Sequence, residues 1–200
     1  MNLILLSPES FSEIPLAKQA FFVKELMEHG LGKFHLRNPF ASQREICEFL
    51  DILGEENHSK VVLHGFESLD KKYQLGGFHY KKNSERITGT NYVSFSAHSF
   101  GEVETLNDPK GPSLDFSIFL SPIFDSISKK GYKQNFDFEV LKEFVPKHKN
   151  LVALGGCSIS KTEFIQDLGF TSMALLGEVW ENFENETYKE ALFEVLERNV

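Results

Sequence analysis

The stretch LVALGGCSISKTEFIQDLG, Leu151–Gly169, contains a complete strand-and-helix unit. A short apolar run comes first, and Gly155-Gly156 ends it. Ser160 and Glu163 follow at the spacing of a capping box, in which Ser accepts from helical N–H groups and Glu reaches back to the cap. Apolar residues then recur at helical spacing up to the final glycine. The pattern predicts a buried strand, a glycine turn and an amphipathic helix.

The same order occurs elsewhere along the chain. Three more apolar runs precede a candidate capping box: NLILL before Ser10–Glu13, KFHLR before Ser42–Glu45, and VSFSA before Ser99–Glu102. Further strand-like runs are KVVLH (Lys60–His64), GGFHY (Gly76–Tyr80), FSIFLS (Phe116–Ser121) and TSMALL (Thr171–Leu176). About eight strands alternating with helices indicate repeated βα units.

This alternation predicts an α/β fold, a compact TIM (βα)8 barrel formed by a single domain spanning residues 1–200. The chain is short for that fold, so one element must be reduced. The segment NSERITGTN (Asn83–Asn91) is short and rich in helix breakers, so we expect the fourth helix to be missing or reduced to a turn. A doubly wound sheet is the second choice, although no GxGxxG follows the first strand.

Composition limits the class of protein. Of 200 residues, 41% are hydrophobic and 20 are Phe, which is enough for a large core. A net charge of -8 argues against a nucleic-acid partner or an anionic membrane surface. Cys47 and Cys157 have no metal or redox spacing, so a cytoplasmic protein with reduced thiols is expected. No apolar stretch is long enough to span a bilayer, so no membrane partner is expected.

Active sites of (βα)8 barrels lie at the carboxyl ends of the strands. In this sequence those positions carry polar residues and glycines: Arg37, His64, His79, Ser96, His98, Ser126, Ser128, Lys129, Gly155, Gly156 and Gly177. Glycine lets backbone approach a ligand, and hydroxyls with a cation suit a phosphate. An arginine in a barrel mouth also needs an anion.

Each signal also has a structural explanation. A Gly-Gly pair is often only a turn, and Ser and Lys in loops are usually solvated. A histidine at a strand end is often a hydrogen-bonded structural group. Three histidines near one rim are compatible with zinc, but no spacing is diagnostic and no carboxylate joins them, so no metal ligand is assigned.

Several of these motifs resemble the thiamine phosphate synthase and TenI family of compact (βα)8 barrels. SPIFDSISKKG (Ser121–Gly131) resembles the family segment G-P-x-F-x-T-x-T-K, and LVALGG is similar to its A-L-G-G strand. HLR (His35–Arg37) resembles Q-L-R, GGFH (Gly76–His79) resembles G-V-H-L, and SAH (Ser96–His98) resembles S-x-H. The resemblance covers most of the chain.

The resemblance implies roles for the candidate residues. Ser126, Ser128 and Lys129 would hold ligand phosphate together with the Gly155-Gly156 loop and Gly177. The same resemblance implies that Arg37 and Ser96, with His79, form the catalytic side, which faces the pyrimidine or its diphosphate. Family members with synthase activity join a pyrimidine methyl diphosphate to a thiazole phosphate and release pyrophosphate with magnesium.

The chain departs from the family pattern where that reaction needs charge. Pro39 replaces a lysine, His64-Gly65 replaces an Asn-Asp pair, and Ser84 falls near a second magnesium aspartate. The tautomerase branch has a histidine where this chain has Pro122. A diphosphate leaving group is normally neutralised by magnesium on carboxylates, so the departures weaken the expectation of synthase activity.

Three functions therefore remain open. The first is a thiamine phosphate synthase-like transferase in thiamine biosynthesis. The second is a thiazole phosphate tautomerase with His64, His79 or His98 as acid or base. The third is a non-catalytic binder of thiazole phosphate or thiamine phosphate. The expected partner is a small phosphorylated thiazole or pyrimidine. No cofactor is assigned, Mg2+ is expected only with a diphosphate substrate, and a monomer and a homodimer both remain open.

Overall fold

The structure is a computed structural model that describes residues 1–81, 92–106, 115–125 and 134–198. Parallel strands close into a barrel in chain order, each paired with its neighbours in sequence and the last with the first. They are β1 (Asn2–Leu6), β2 (Lys33–Leu36), β3 (Val61–Leu63), β4 (Gly77–Tyr80), β5 (Tyr92–Ala97), β6 (Asp115–Leu120), β7 (Leu151–Ala153) and β8 (Ser172–Leu175). The predicted closed eight-stranded barrel is confirmed, and the doubly wound sheet is wrong.

Helices follow most strands on the outside of the barrel. They are α1 (Leu16–Glu28), α2 (Gln43–Leu53), α3 (Glu55–His58), α4 (Asp70–Tyr73), α5 (Phe100–Leu106), α6 (Phe138–Phe144), α7 (Thr162–Asp167), α8 (Gly177–Glu181) and α9 (Glu186–Glu197). Short 3-10 turns occupy Glu67–Leu69, Val145–Lys147 and Ile159–Lys161. None of the helices in the described ranges is long and apolar enough to cross a membrane.

The prediction that the fourth helix is missing or reduced falls on residues that the structure does not describe. The connection from β4 to β5 includes residues 82–91, which the structure does not describe. The preceding connection, from β3 to β4, contains only the 3-10 turn Glu67–Leu69 and the four-residue helix α4. The helix of the third βα unit, α4, is therefore short, and the sequence pattern did not indicate this.

The predicted capping boxes form at some helix starts and not at others. At α2 the box is complete, because Ser42 accepts from Glu45 N and the Glu45 carboxylate accepts from Ser42 N. At α5 the pairing is shifted: Ser99 accepts from Glu102 N at 3.2 Å, while the Glu102 carboxylate accepts from His98 N at 2.7 Å.

Two of the expected boxes do not form. The helix α1 begins only after Pro15, whose fixed φ suits a helix start, and the Ser10 hydroxyl instead lies 2.6 Å from that of Ser12. Ser160 lies inside a 3-10 turn before α7, and its hydroxyl lies 2.9 Å from that of Ser158. In both places a local hydroxyl pair replaces the helix cap, which is a common competition for Ser side chains.

The interior of the barrel is divided into an apolar and a polar half. Side chains alternate along a strand, so every second residue points inward. Ile4, Leu6, Phe119, Val152 and Ala174 form a small inner cluster separate from the main core between strands and helices. The inward positions of the facing strands are polar, and they carry His35, His64, His79, Ser94 and Ser96. The candidate site therefore includes this polar half of the barrel interior.

Candidate functional site at the mouth of the barrel

A cavity of about 820 Å³ opens at the carboxyl ends of the strands. Every predicted site residue that the structure describes lines it: Arg37, His64, His79, Ser96, His98, Gly155, Gly156 and Gly177. Ser126, Ser128 and Lys129 belong to the segment 126–133, outside the described residues. The cavity is within the usual size range for small-molecule sites.

The glycine pair joins the seventh strand end to the sixth loop. Gly155 and Gly156 have φ of +89° and +64°, a region that favours glycine. A methyl group on Gly155 would lie 2.8 Å from Pro122 Cα, and one on Gly156 would overlap the backbone oxygen of Asp125. Phe124 N donates to Gly155 O at 3.0 Å. The pair is therefore needed for close contact between two loops, in addition to any contact with a ligand.

Lys161, which no sequence motif marks as a site residue, supports the same turn. Its Nζ donates to Gly156 O at 2.6 Å and lies 4.3 Å from the centre of the Phe124 ring. The side chain thus ties the start of α7 to both loops. Nothing in the local sequence distinguishes Lys161 from an ordinary solvated lysine at a helix start, because both of its contacts are made with other loops.

Three histidines meet on the polar wall of the cavity. His35 Nδ1 lies 3.1 Å from His64 Nε2, and the rings of His64 and His79 stack in parallel with centroids 4.2 Å apart. His79 Nδ1 lies 2.9 Å from Ser94 Oγ, and its Nε2 lies 3.1 Å from Ser96 Oγ. The sequence pattern gave no separate signal for His35, although its position two residues before Arg37 places both on one side of the strand.

Burial keeps these imidazoles neutral. Desolvation is the main cause for all three, because it penalises the charged form. It lowers the pKa of His35 and of His64 well below the ordinary value, with the neighbouring histidines adding to the effect. It lowers the pKa of His79 to about 4, and the nearby Arg37 charge contributes. At neutral pH the cluster therefore offers lone pairs and single N–H donors rather than cations.

Arg37 has a carboxylate partner in the free protein. Its Nη1 lies 2.7 Å from Glu9 Oε1, and both side chains are more than a third exposed. Ser7 holds the Arg37 backbone in place, since its hydroxyl donates to Arg37 O and accepts from Arg37 N. The expected demand for an anion is thus met by Glu9, which an anionic ligand would have to displace.

His98 is separate from the histidine cluster. Its Nδ1 lies 3.0 Å from Ser121 O, and Asn135 Nδ2 donates to His98 O at 2.9 Å. Because a carbonyl oxygen only accepts, Nδ1 must carry the proton. The other nitrogen of the neutral ring is then a hydrogen-bond acceptor at the exposed rim.

Carboxylates are scarce at the cavity. Within the part of the chain that the structure describes, Glu67 is the single acidic residue lining it, and Arg37 and Lys81 are the cations. A paired-carboxylate magnesium site of the kind that diphosphate chemistry normally uses is therefore not found among the described residues.

The fold and the position of the cavity define the class: this is a (βα)8-barrel protein with its candidate site at the carboxyl ends of the strands. The resemblance to thiamine phosphate synthases is confirmed by a solved structure of a thiamine phosphate pyrophosphorylase. Thiamine phosphate pyrophosphorylase from Bacteroides thetaiotaomicron is 26% identical, with a TM-score of 0.76 over 98% of this chain and 94% of that one.

More distant structures share the fold. Thiamine phosphate pyrophosphorylase from Pyrococcus furiosus is 15% identical, with a TM-score of 0.75 over 98% of this chain and 96% of that one. A 3-hexulose-6-phosphate synthase is 12% identical, with a TM-score of 0.59 over 97% and 99% of the two chains. No family model and no curated protein matches the chain.

Proposed function

We propose that this protein is an enzyme of thiamine biosynthesis that binds a thiazole phosphate at the barrel mouth and carries out thiamine phosphate synthase-like chemistry. The observation that carries the proposal is the backbone junction between the sixth and seventh loops. Phe124 N donates to Gly155 O, and Gly156 packs directly against Asp125. These are the loops to which the family resemblance assigns the phosphate.

The junction supports a phosphate subsite in a specific way. Asp125 is the last described residue before the segment that contains Ser126, Ser128 and Lys129. The chain therefore enters that segment in contact with the glycine turn, where two hydroxyls and a cation would complement backbone N–H groups. Gly177, the first residue of α8, lines the same cavity.

The other end of the substrate would meet Arg37 and the serine-histidine wall. An incoming diphosphate would compete with Glu9 for the Arg37 guanidinium, to which phosphate oxygens can bind in a bidentate manner. Ser96 and His79, 3.1 Å apart through Oγ and Nε2, would contact the pyrimidine side. Magnesium would enter with the diphosphate rather than bind beforehand, because Glu67 is the sole acid in the described lining.

A thiazole phosphate tautomerase is the second candidate, and His98 favours it. The Ser121 carbonyl keeps the proton on His98 Nδ1, so the other ring nitrogen is able to accept a proton. The tautomerase branch of the family has a histidine where this chain has Pro122. His98, which follows β5, lies near that position because its Nδ1 is hydrogen-bonded to Ser121 O.

A single set of assays separates these functions. Purified protein is incubated with thiazole phosphate alone and with thiazole phosphate plus pyrimidine methyl diphosphate, each with and without Mg2+. Magnesium-dependent release of pyrophosphate and formation of thiamine phosphate support the synthase. Isomerisation of thiazole phosphate alone supports the tautomerase. Calorimetric binding without turnover supports the binding protein, and the absence of binding would overturn the proposal.

A further inference from the structure

His35 and His64 have no role in the proposed synthase chemistry, yet both lie beside His79 on the polar wall of the barrel. We propose that His35, His64 and His79 bind a divalent transition metal of the zinc class. Their ligand atoms lie within 4.8 Å of one another and come from the ends of three adjacent strands, β2, β3 and β4. This inference does not depend on the proposed function, because no phosphate or thiazole contact enters it.

The separations are close to those of a metal site. Zinc binds imidazole nitrogen at about 2.0–2.1 Å, so two nitrogens on one tetrahedral ion lie roughly 3.4 Å apart. His35 Nδ1 and His64 Nε2 are already 3.1 Å apart. The third nitrogen, within 4.8 Å, has to approach by at most about 1.4 Å (4.8 − 3.4), which a side-chain rotation can achieve.

A metal needs the lone pair of a neutral imidazole nitrogen. In the 3.1 Å contact between His35 Nδ1 and His64 Nε2 one nitrogen carries the proton, so metal binding would shift that proton to the other nitrogen of the same ring or release it. His35 is fully buried, and its Nε2 has no hydrogen-bond partner among the described residues. Hydrogen bonding within the protein therefore does not account for the whole cluster.

The second ring nitrogen of His79 has a hydrogen-bond partner, as the second nitrogen of a metal-binding histidine usually does. Ser94 is fully buried and lies 2.9 Å from Nδ1, so it fixes the ring, whereas Ser96 lines the cavity and lies 3.1 Å from Nε2. A metal at the cavity side would take Nε2 in place of the Ser96 contact. The Ser94 bond would remain as the outer contact that orients the ring.

The ligand set selects the kind of metal. Three imidazoles suit zinc, cobalt or nickel, whereas magnesium prefers oxygen ligands. Three protein ligands facing an open cavity leave a fourth position for water or for a substrate atom, which is the pattern of catalytic zinc sites. The nearby Arg37 charge opposes a cation, but it is paired with Glu9 at 2.7 Å.

The test titrates metal-free protein with Zn2+ by calorimetry and with Co2+ by visible absorption. The proposal expects one ion per chain, cobalt d–d bands typical of nitrogen ligation, and no competition by excess Mg2+. His64→Asn and His35→Gln replace the ligands with the family's residues at these positions and should weaken binding at least about 100-fold, more than loss of an outer contact costs. His98→Asn is the matched control, because His98 lines the same cavity outside the cluster.

Circular dichroism of each variant shows whether it folds, and His79→Asn provides an independent third ligand deletion. Zinc binding that persists in all three ligand variants would place the ion elsewhere and overturn the proposal. No one-to-one binding by the folded wild-type protein would do the same. Thiolate-to-cobalt charge-transfer bands would also overturn it, because they would assign the ion to a cysteine.

Discussion

Replacing Gly156 by alanine tests the junction that positions the phosphate loops. The residue has φ of +64°, where a non-glycine residue costs roughly 1–2 kcal/mol. Its new methyl group would overlap Asp125 O and lie 2.7 Å from Phe124 Cβ, whereas carbon atoms normally sit about 3.5–4 Å apart. Forcing such an overlap typically costs about 1–3 kcal/mol. We expect a total loss of about 2–5 kcal/mol in the free energy of unfolding.

The displaced sixth loop should also weaken ligand binding. We expect affinity for thiazole phosphate to fall by at least about tenfold, since a shift of about 1 Å degrades several charged hydrogen bonds. Urea denaturation measures the stability, and calorimetric titration measures the affinity. The matched control is Gly65→Ala, because Gly65 has φ of +104° but nothing within 4 Å of an added methyl group. Because φ of +104° lies outside the left-handed region that other residues can enter, this control carries at least as much backbone strain as Gly156→Ala, without the overlap.

The stability and affinity losses of the two variants show whether the overlap at Gly156 constrains the fold and the phosphate site. If Gly156→Ala loses no more than the roughly 1–2 kcal/mol expected from backbone strain alone, the overlap with the sixth loop is not a real constraint. If Gly156→Ala is strongly destabilised yet binds thiazole phosphate normally, the junction supports the fold but does not place the phosphate site.

Four further results are expected. Lys129→Ala should weaken thiazole phosphate binding roughly ten- to hundred-fold in calorimetry while leaving the dephosphorylated alcohol unchanged; equal loss for both would mean that Lys129 shapes the pocket without contacting phosphate. Glu9→Gln should raise affinity for pyrimidine diphosphate up to about fivefold, with little change in melting temperature because the Arg37–Glu9 pair is exposed. An unchanged affinity would contradict the proposed competition between Glu9 and the diphosphate. Burial raises the pKa of the Cys157 thiol to about 12, so at pH 8 a thiol reagent should label half-buried Cys47 quickly and Cys157 only after unfolding; rapid double labelling of the native protein would refute this. Calorimetry should find no tight Mg2+ site in ligand-free protein, and micromolar binding at the barrel mouth would show that carboxylates there were overlooked.

The fold was largely predictable because it depends on local patterns. Alternating apolar runs and helix-start signals indicate βα units one at a time, and eight of them close a barrel. The rule that barrel sites lie at the carboxyl ends of the strands gave the positions that line the cavity, and the family resemblance added their expected roles. Helix starts were less certain. Ser42 caps α2 as predicted, but Ser10 does not cap α1, because Pro15 sets the start and a neighbouring hydroxyl competes for Ser10.

The arrangement within the cavity was decided by the tertiary structure. The histidine cluster spans 44 residues of the chain, from His35 through His64 to His79 (79 − 35). The three rings meet because barrel closure brings β2, β3 and β4 side by side. Their neutral state is likewise a product of burial, which no residue pattern displays. The sequence alone determined which strand ends are polar and where glycine is required. Only the closed barrel decided that Glu9 pairs with Arg37 and that Gly156 packs on Asp125, since both contacts join distant segments whose separation depends on the packing of the whole chain.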